Sequence, residues 1–240
     1  MVNNSALKAI RILELLGASE KPLSLKQISE ELGLPKSTAH GLLQTLVATS
    51  FLELHKPASY AIGLRAFEVG AAYIRRAGPV GIVAPELVGL TRALGVTAHY
   101  AVLDGPDAVY LCKEDPPGLG VQLASSIGAR LPADITAVGK ACLAWLDDAV
   151  VGEHAGHNAE VAVLRAQLTA VRERGYATDE GEAATGIWCV AAPVFDMGGP
   201  RGAIGVSFLR GARDDAEGIA QHVMAAAARA TSQLGGTVRR

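Results

Sequence analysis

Two helices joined by a three-residue turn are written into residues 24–49, and no other stretch restricts the fold so tightly. Ser24-Leu25-Lys26-Gln27 is a capping box, a hydroxyl followed three residues later by an amide, which satisfies free amides where a helix starts. Ile28 and Leu32 lie one turn apart on the helix it opens, and Gly33 supplies the left-handed residue that stops it. Pro35 suits the first turn of a second helix, because its missing N–H has no partner there anyway. That second helix is expected to run to about Thr49, with Ala39, Leu42, Leu43 and Leu46 inward. Lys36, Ser37, His40, Gly41, Gln44 and Thr45 fall on the opposite side, with Thr38 beside them.

A short helix, a tight turn and a longer helix have the proportions of a helix-turn-helix. A helix entering the major groove needs donors near its start for base edges and small hydroxyls for phosphates, and this polar side offers both. A plain helical hairpin with a solvated polar side fits the same spacing. The adjoining segment favours the first reading. Phe51 to Leu54 and Tyr60 to Ile62 look like two strands around Lys56-Pro57-Ala58-Ser59, a hairpin placed as a wing would be. His55, Lys56 and Tyr60 would lie near its tip, although a solvated loop suits them equally. Ahead of the pair, Ala6, Ala9/Ile10, Leu13 and Leu16/Gly17 recur at helical spacing.

The net charge of −2 hides an asymmetry. Residues 1–76 carry nine Lys/Arg against six Asp/Glu, and the remainder carries thirteen against eighteen. A basic amino-terminal piece on an acidic body suits phosphate contact at one end only. Half the chain is apolar, enough for a substantial core. No apolar run approaches the ~20 residues that cross a bilayer, and no leader pattern opens the chain. Cys112, Cys142 and Cys189 are widely spaced with no CxxC pair, which argues against a disulfide framework and a structural zinc. The expected location is the reducing cytoplasm.

Leu64 to Arg76 reads as an amphipathic helix linking two domains, broken by Ala77-Gly78-Pro79. Beyond it the pattern turns mixed. Val83, Leu87, Leu90 and Leu94 mark a helix ended by Gly95. Val96 to Leu103 and Ala108 to Lys113 form a strand pair across Asp104-Gly105-Pro106-Asp107, and Val121 to Ser125 is a short strand. Thr136 to Trp145 and Val161 to Arg174 are helical, Trp188 to Phe195 and Ala203 to Leu209 are strands, and a last helix covers roughly Asp215 to Leu234. The fold class is α+β: a mainly helical first domain, then an antiparallel sheet flanked by helices.

Four stretches carry a family likeness. Pro22-Leu23-Ser24-Leu25, Ile28 and Gly33-Leu34-Pro35-Lys36-Ser37-Thr38-Ala39-His40 form the first, and Tyr60-Ala61-Ile62-Gly63 the second. Gly128-Ala129-Arg130-Leu131-Pro132 with Thr136-Ala137-Val138-Gly139-Lys140-Ala141 is the third. The fourth is Arg174-Gly175-Tyr176, Asp179 and Gly186-Ile187-Trp188-Cys189-Val190-Ala191-Ala192-Pro193-Val194. In this order the chain resembles the IclR family of transcriptional regulators. The resemblance implies a winged helix-turn-helix over residues 1–63, a linker helix over 64–78 that supports dimerisation, and a GAF-like effector-binding domain over 79–240. It implies homodimers or dimers of dimers on double-stranded operator DNA, a small-molecule effector, no membrane and no cofactor. The DNA-contacting set, read from the polar side of the second helix and the hairpin, is Lys36, Ser37, Thr38, His40, Gly41, Gln44 and Thr45, with Lys56 and Tyr60 on the wing. The family commonly has Arg where this chain has Gly41, so one contact is missing, and a mid-helix glycine costs ~1 kcal/mol relative to Ala.

Family members that sense small organic acids seat the carboxylate on backbone amides where a loop meets a helix; the matching stretch here is Thr136-Ala137-Val138. The resemblance places Asp179, Ile187, Cys189 and Ser207 around the same pocket, with Leu123 and Leu131 as apolar walls. Taken singly, Ile187 and Cys189 read better as strand-core residues, and Asp179 and Ser207 are the stronger pocket candidates. Some relatives carry a second serine two residues before Ser207; Gly205 stands there in this chain, an exchange expected to remove a donor and enlarge the pocket.

Catalytic readings find no support. Gly139-Lys140 mimics the end of a phosphate loop, but Asp134 stands where its first glycine belongs and Ala141 comes after the lysine. His154 and His157 lack the further ligands zinc requires, and no Gly-x-Ser-x-Gly elbow occurs. The chain therefore reads as a regulator, against two rivals: an enzyme retaining the fold, and a scaffold module without salt-dependent DNA affinity.

Overall fold

The computed structural model describes residues 3–118, 126–154, 160–211 and 216–238. The chain divides into two compact units, Met1–Ala77 and Gly78–Arg240.

The first unit opens with α1 (Asn4–Ala18), whose first amides are capped by the Asn3 side chain, accepting from Ser5 and Ala6. α1 buries Ile12 and Leu16, while Leu7 and Ile10 remain exposed. The inward stripe is thus rotated from the expected one, because α1 is apolar on two sides. β1 (Leu23–Ser24) leads directly into α2 (Leu25–Glu31), where both halves of the capping box form between Ser24 and Gln27. Gly33 is left-handed, φ +61°, as the stop requires. The turn is tied twice between the same residues: the Leu34 amide donates to the Ser29 carbonyl, and the buried Ser29 hydroxyl donates to the Leu34 carbonyl. α3 (Lys36–Ala48) is next, with Pro35 one position earlier than expected, as its N-cap. β2 (Leu52–His55) and β3 (Ser59–Ile62) form the hairpin, and β1 joins β3 to make a three-stranded antiparallel sheet of order β1-β3-β2. One core of Ile12, Leu16, Ile28, Leu43, Leu46 and Leu52 fixes the three helices against the hairpin. α4 (Leu64–Ala77) closes the unit.

The second unit begins with α5 (Pro79–Leu94), which buries Val83, Leu87, Leu90 and Leu94 and ends at left-handed Gly95. β4 (Thr97–Asp104) and β5 (Asp107–Glu114) pair across the expected turn, and β6 (Arg130–Pro132) adds to β5. Three helices come next: α6 (Ala137–Leu143), α7 (Asp148–His154) and α8 (Val161–Arg174), the last stopped by left-handed Gly175. β7 (Ala177–Glu180), β8 (Ile187–Asp196) and β9 (Gly199–Leu209) precede α9 (Ala216–Gln233). The strands form one antiparallel sheet of order β6-β5-β4-β9-β8-β7. The expected strand at Val121 to Ser125 lies outside the described residues.

Strand alternation divides this unit into three layers. Ala98, Tyr100, Val190, Ala192, Ile204 and Val206 face α5 and α9. Ala101, Ala191 and Ala203 face α6 and α8. Small residues on that second side leave room near α6. The α+β class with an antiparallel sheet and flanking helices is what the sequence led us to expect. Among the described residues no helix is long and apolar enough to cross a membrane.

Candidate functional site

In the first unit the second helix of the pair, α3, has a dry side and a wet one. Ala39, Leu43 and Leu46 are buried, whereas Lys36, Ser37, His40, Gly41, Gln44 and Thr45 are exposed and Thr38 is half-buried. The Thr45 hydroxyl donates back to the Gly41 carbonyl at 3.0 Å, so its oxygen points outward as an acceptor. No acidic side chain occurs on this helix. Lys56 is exposed at the hairpin turn. Tyr60 corrects the sequence reading: it is 8 % exposed and packs into the core with Ile28 and Leu52, because β3 is the central strand and lies against the helices. It is a core residue rather than a wing contact.

A side chain at Gly41 would meet nothing within 4 Å. Gly41→Ala is therefore expected to stabilise the first unit by about 1 kcal/mol, through helix propensity alone, without moving its neighbours. Urea denaturation of the two proteins measures this; an unchanged or lower midpoint would contradict it.

α4 leaves apolar side chains uncovered at Leu64, Phe67, Val69 and Tyr73; Phe67 is 70 % exposed. Leu7 and Ile10 of α1 are exposed as well.

In the second unit a cavity of about 30 Å³ lies between the sheet and the start of α6. Leu131 of β6 and Thr136, Ala137 and Val138 at the head of α6 line one side. Asp179 of β7, Ile187 and Cys189 of β8 and Ser207 of β9 line the other. All the pocket residues expected from sequence meet here except Leu123, which lies outside the described residues. Four more line the cavity: His99 of β4, Tyr110 of β5, and Ala183 and Ala184 of the loop after β7. Sequence reasoning missed them because strand pairing brings in His99 and Tyr110, and the loop folded over Asp179 brings in Ala183 and Ala184.

Local chemistry fixes each wall. Thr136 caps α6 by accepting from the Gly139 amide and donates to the Pro132 carbonyl. Asp179 is 2 % exposed, and its Oδ1 accepts from the amides of Gly181, Glu182 and Ala183, holding the loop that carries Ala183 and Ala184. Burial raises its pKa; those loop amides and Lys140 work in the opposite sense. Lys140, 2 % exposed, reaches Glu182 of the same loop at 2.6 Å. Cys189 and Ser207 touch, Sγ to Oγ 3.1 Å. Burial pushes both the Cys189 and Cys142 thiols up to about 12, so neither is a ready nucleophile. The pocket is not enlarged at Gly205: a Cβ there would lie 2.7 Å from His99 Nε2 and 3.0 Å from Val138 Cγ1, so the space is already filled. Among the described residues no cluster of three or more His, Cys, Asp or Glu is placed to hold a metal ion.

Two family models match the chain, one described as the bacterial transcriptional regulator IclR C-terminal over residues 71–234, the other as the IclR helix-turn-helix domain over residues 5–55. The chain belongs to the IclR family. It is 32 % identical over 205 residues to the transcriptional repressor IclR of Escherichia coli, covering 80 % of this chain and 74 % of that one. It is 33 % identical over 225 residues to the HTH-type transcriptional regulator XynR of Escherichia coli, covering 88 % of each. The crystal structure of an IclR homolog from Microbacterium hydrocarbonoxydans, complexed with 4-hydroxybenzoate, superposes with a TM-score of 0.84 over 96 % of this chain and 99 % of that one, at 19 % identity, a likeness of fold. As an IclR-family member this chain is a DNA-binding transcriptional regulator with an effector-binding domain, and not an enzyme.

Proposed function

We propose that this regulator reads operator DNA in the cytoplasm as a homodimer or dimer of dimers, through Lys36, Ser37, Thr38, His40, Gln44 and Thr45 on α3, with Lys56 on the phosphate backbone. Gly41 lets the backbone approach the duplex but contributes no side-chain contact. The winged helix-turn-helix occupies 1–63, the linker helix 64–78 and the effector domain 79–240. The observation that carries the reading is the exposed, acid-free polar side of α3, set on a helix whose other side buries Ala39, Leu43 and Leu46. The uncovered Leu64, Phe67 and Tyr73 of α4 support self-association, since water opposes leaving them bare.

The effector is a small carboxylic acid, aliphatic or aromatic, held in the cavity beneath α6. Support comes from the meeting of the pocket residues there and from the 4-hydroxybenzoate bound by the Microbacterium homolog. The cavity of about 30 Å³ is far below the ~300 Å³ at which ordinary small-molecule pockets begin. An acid therefore enters by moving the loop of Ala183 and Ala184, and that displacement gives the effector its differential affinity for two arrangements of the assembly. A changed spacing of two recognition helices then changes the fit to half-sites.

Selection of bound genomic fragments supplies the operator, and gel-shift titration tests the reading. Replacing Lys36 and Gln44 together with Ala is expected to weaken operator binding about thirtyfold and flatten the dependence of log K on log salt by about one unit. Both side chains are exposed, so the urea midpoint stays put. Unchanged affinity would reassign the DNA-reading surface.

A further inference from the structure

His99 is 1 % exposed and lines the effector cavity, yet its Nδ1 has no hydrogen-bond partner. Buried polar atoms are almost always satisfied, so an unpaired ring nitrogen on a side chain that lines a cavity calls for a ligand. The ring stands on β4 directly opposite Gly205 of β9 and occupies the volume a side chain at 205 would need. It meets the Tyr110 ring edge-on, centroids 5.2 Å apart. An imidazole from β4 thus fills the place beside Gly205 of β9.

The imidazole is uncharged. Burial holds its pKa down to about 3, reinforced by Lys113 on β5 and opposed by Asp115. A neutral imidazole offers one N–H donor and one bare acceptor nitrogen. Near it the Ser207 hydroxyl and Cys189 thiol occupy one another, and the Asp179 carboxyl stands behind them. A carboxylate brought against Asp179 is repelled in so dry a place, so the acid's own carboxylate belongs on the opposite side, at the head of α6. The Asp179 side favours a hydroxyl, donor and acceptor at once.

We propose that His99 is this regulator's specificity residue: its imidazole hydrogen-bonds a hydroxyl of a small hydroxy acid, and the His99–Gly205 pair decides which acids enter. The inference rests on the cavity being the acid site. An acid without the hydroxyl leaves the buried nitrogen unsatisfied, which is the strongest form of discrimination such a site has.

Isothermal titration of the full-length protein with three pairs tests it: 4-hydroxybenzoate and benzoate, lactate and propionate, malate and succinate. For at least one pair the hydroxy acid is expected to bind about tenfold more tightly, and His99→Ala to remove that preference while changing the plain acid less than about threefold. His99→Gln, which keeps a donor and an acceptor, retains most of the preference. The double variant His99→Ala, Gly205→Ser restores it in part, because the serine enters vacated space; Gly205→Ser alone, with the ring in place, weakens both acids. Melting temperatures of all variants separate these effects from misfolding. If His99→Ala weakens both members of a pair equally, or neither, the specificity role is overturned while the acid site stands. Plain acids that bind the unaltered protein as tightly as their hydroxy partners overturn that role in the same way. If none of the six acids binds the unaltered protein, the acid-effector reading falls and takes the inference with it.

Discussion

Replacing Gly139 with alanine is expected to destabilise the second unit by about 3 kcal/mol and lower its melting temperature by roughly 6–12 °C. The reason is the backbone of Ala133. A Cβ on Gly139 would lie 2.2 Å from the Ala133 carbonyl oxygen and 2.4 Å from its Cα, and no rotamer change relieves a clash with main chain. The first turn of α6 must retreat, taking with it the Thr136 cap and the cavity wall formed by Ala137 and Val138. Effector affinity should fall together with stability. Gly81→Ala in α5 is the control: its Cβ would meet nothing within 4 Å, and its melting temperature should hold or rise. Equal melting of the two variants would show that α6 has slack the packing does not reveal.

The second large effect concerns the pair of Lys140 and Glu182, and it is asymmetric. The lysine is 2 % exposed and the glutamate 35 %. Glu182→Ala takes the hydrogen-bonded partner from a buried ammonium group and leaves it only the field of Asp179. A cost of about 3 kcal/mol is expected, somewhat below a fully buried pair because the glutamate is partly screened by water. Lys140→Met removes the charge, fills similar space and leaves a carboxylate that water can reach, so its cost is about 1 kcal/mol or less. The double variant should be more stable than Glu182→Ala alone. Chemical denaturation of the three proteins decides it, and equal costs for the two single variants would show that the ammonium finds water or another acceptor. Glu182 also steadies the loop of Ala183 and Ala184, so its loss should speed effector entry and release.

Long elements with a strong period were legible from the sequence alone. The helix expected at Val161 to Arg174 is α8 end to end, and the capping box placed the start of α2 to the residue. β1, β6, β7 and α7 were not, since they are short and carry no signal like the capping box that marks α2 or the Lys56-Pro57 turn that marks β2 and β3. Tyr60 was misassigned because an amphipathic ring suits a wing tip and a core alike, and only the sheet order separates them. The cavity was legible as far as the family likeness reached, at Thr136, Asp179, Ile187, Cys189 and Ser207. His99 and Tyr110 carried a fainter signal: a histidine inside the apolar run Thr97-Ala98-His99-Tyr100-Ala101, in step with Ala101 and hence on the α6 side. What no local pattern could supply was the partner across the sheet, Gly205, more than a hundred residues away.

That partnership has a consequence for how the protein is made. β4 and β9 are neighbours at the middle of the sheet, with Thr97 paired to Ser207. As the chain leaves the ribosome, the open border of β4 therefore waits through about a hundred residues of synthesis, on the order of 5–20 s, before its mate arrives. The amino-terminal unit needs no such delay and finishes early. A nascent regulator is thus competent in its first domain while its sensor remains an unpaired half-sheet, and premature termination before β9 should yield aggregation-prone fragments rather than an unregulated DNA binder.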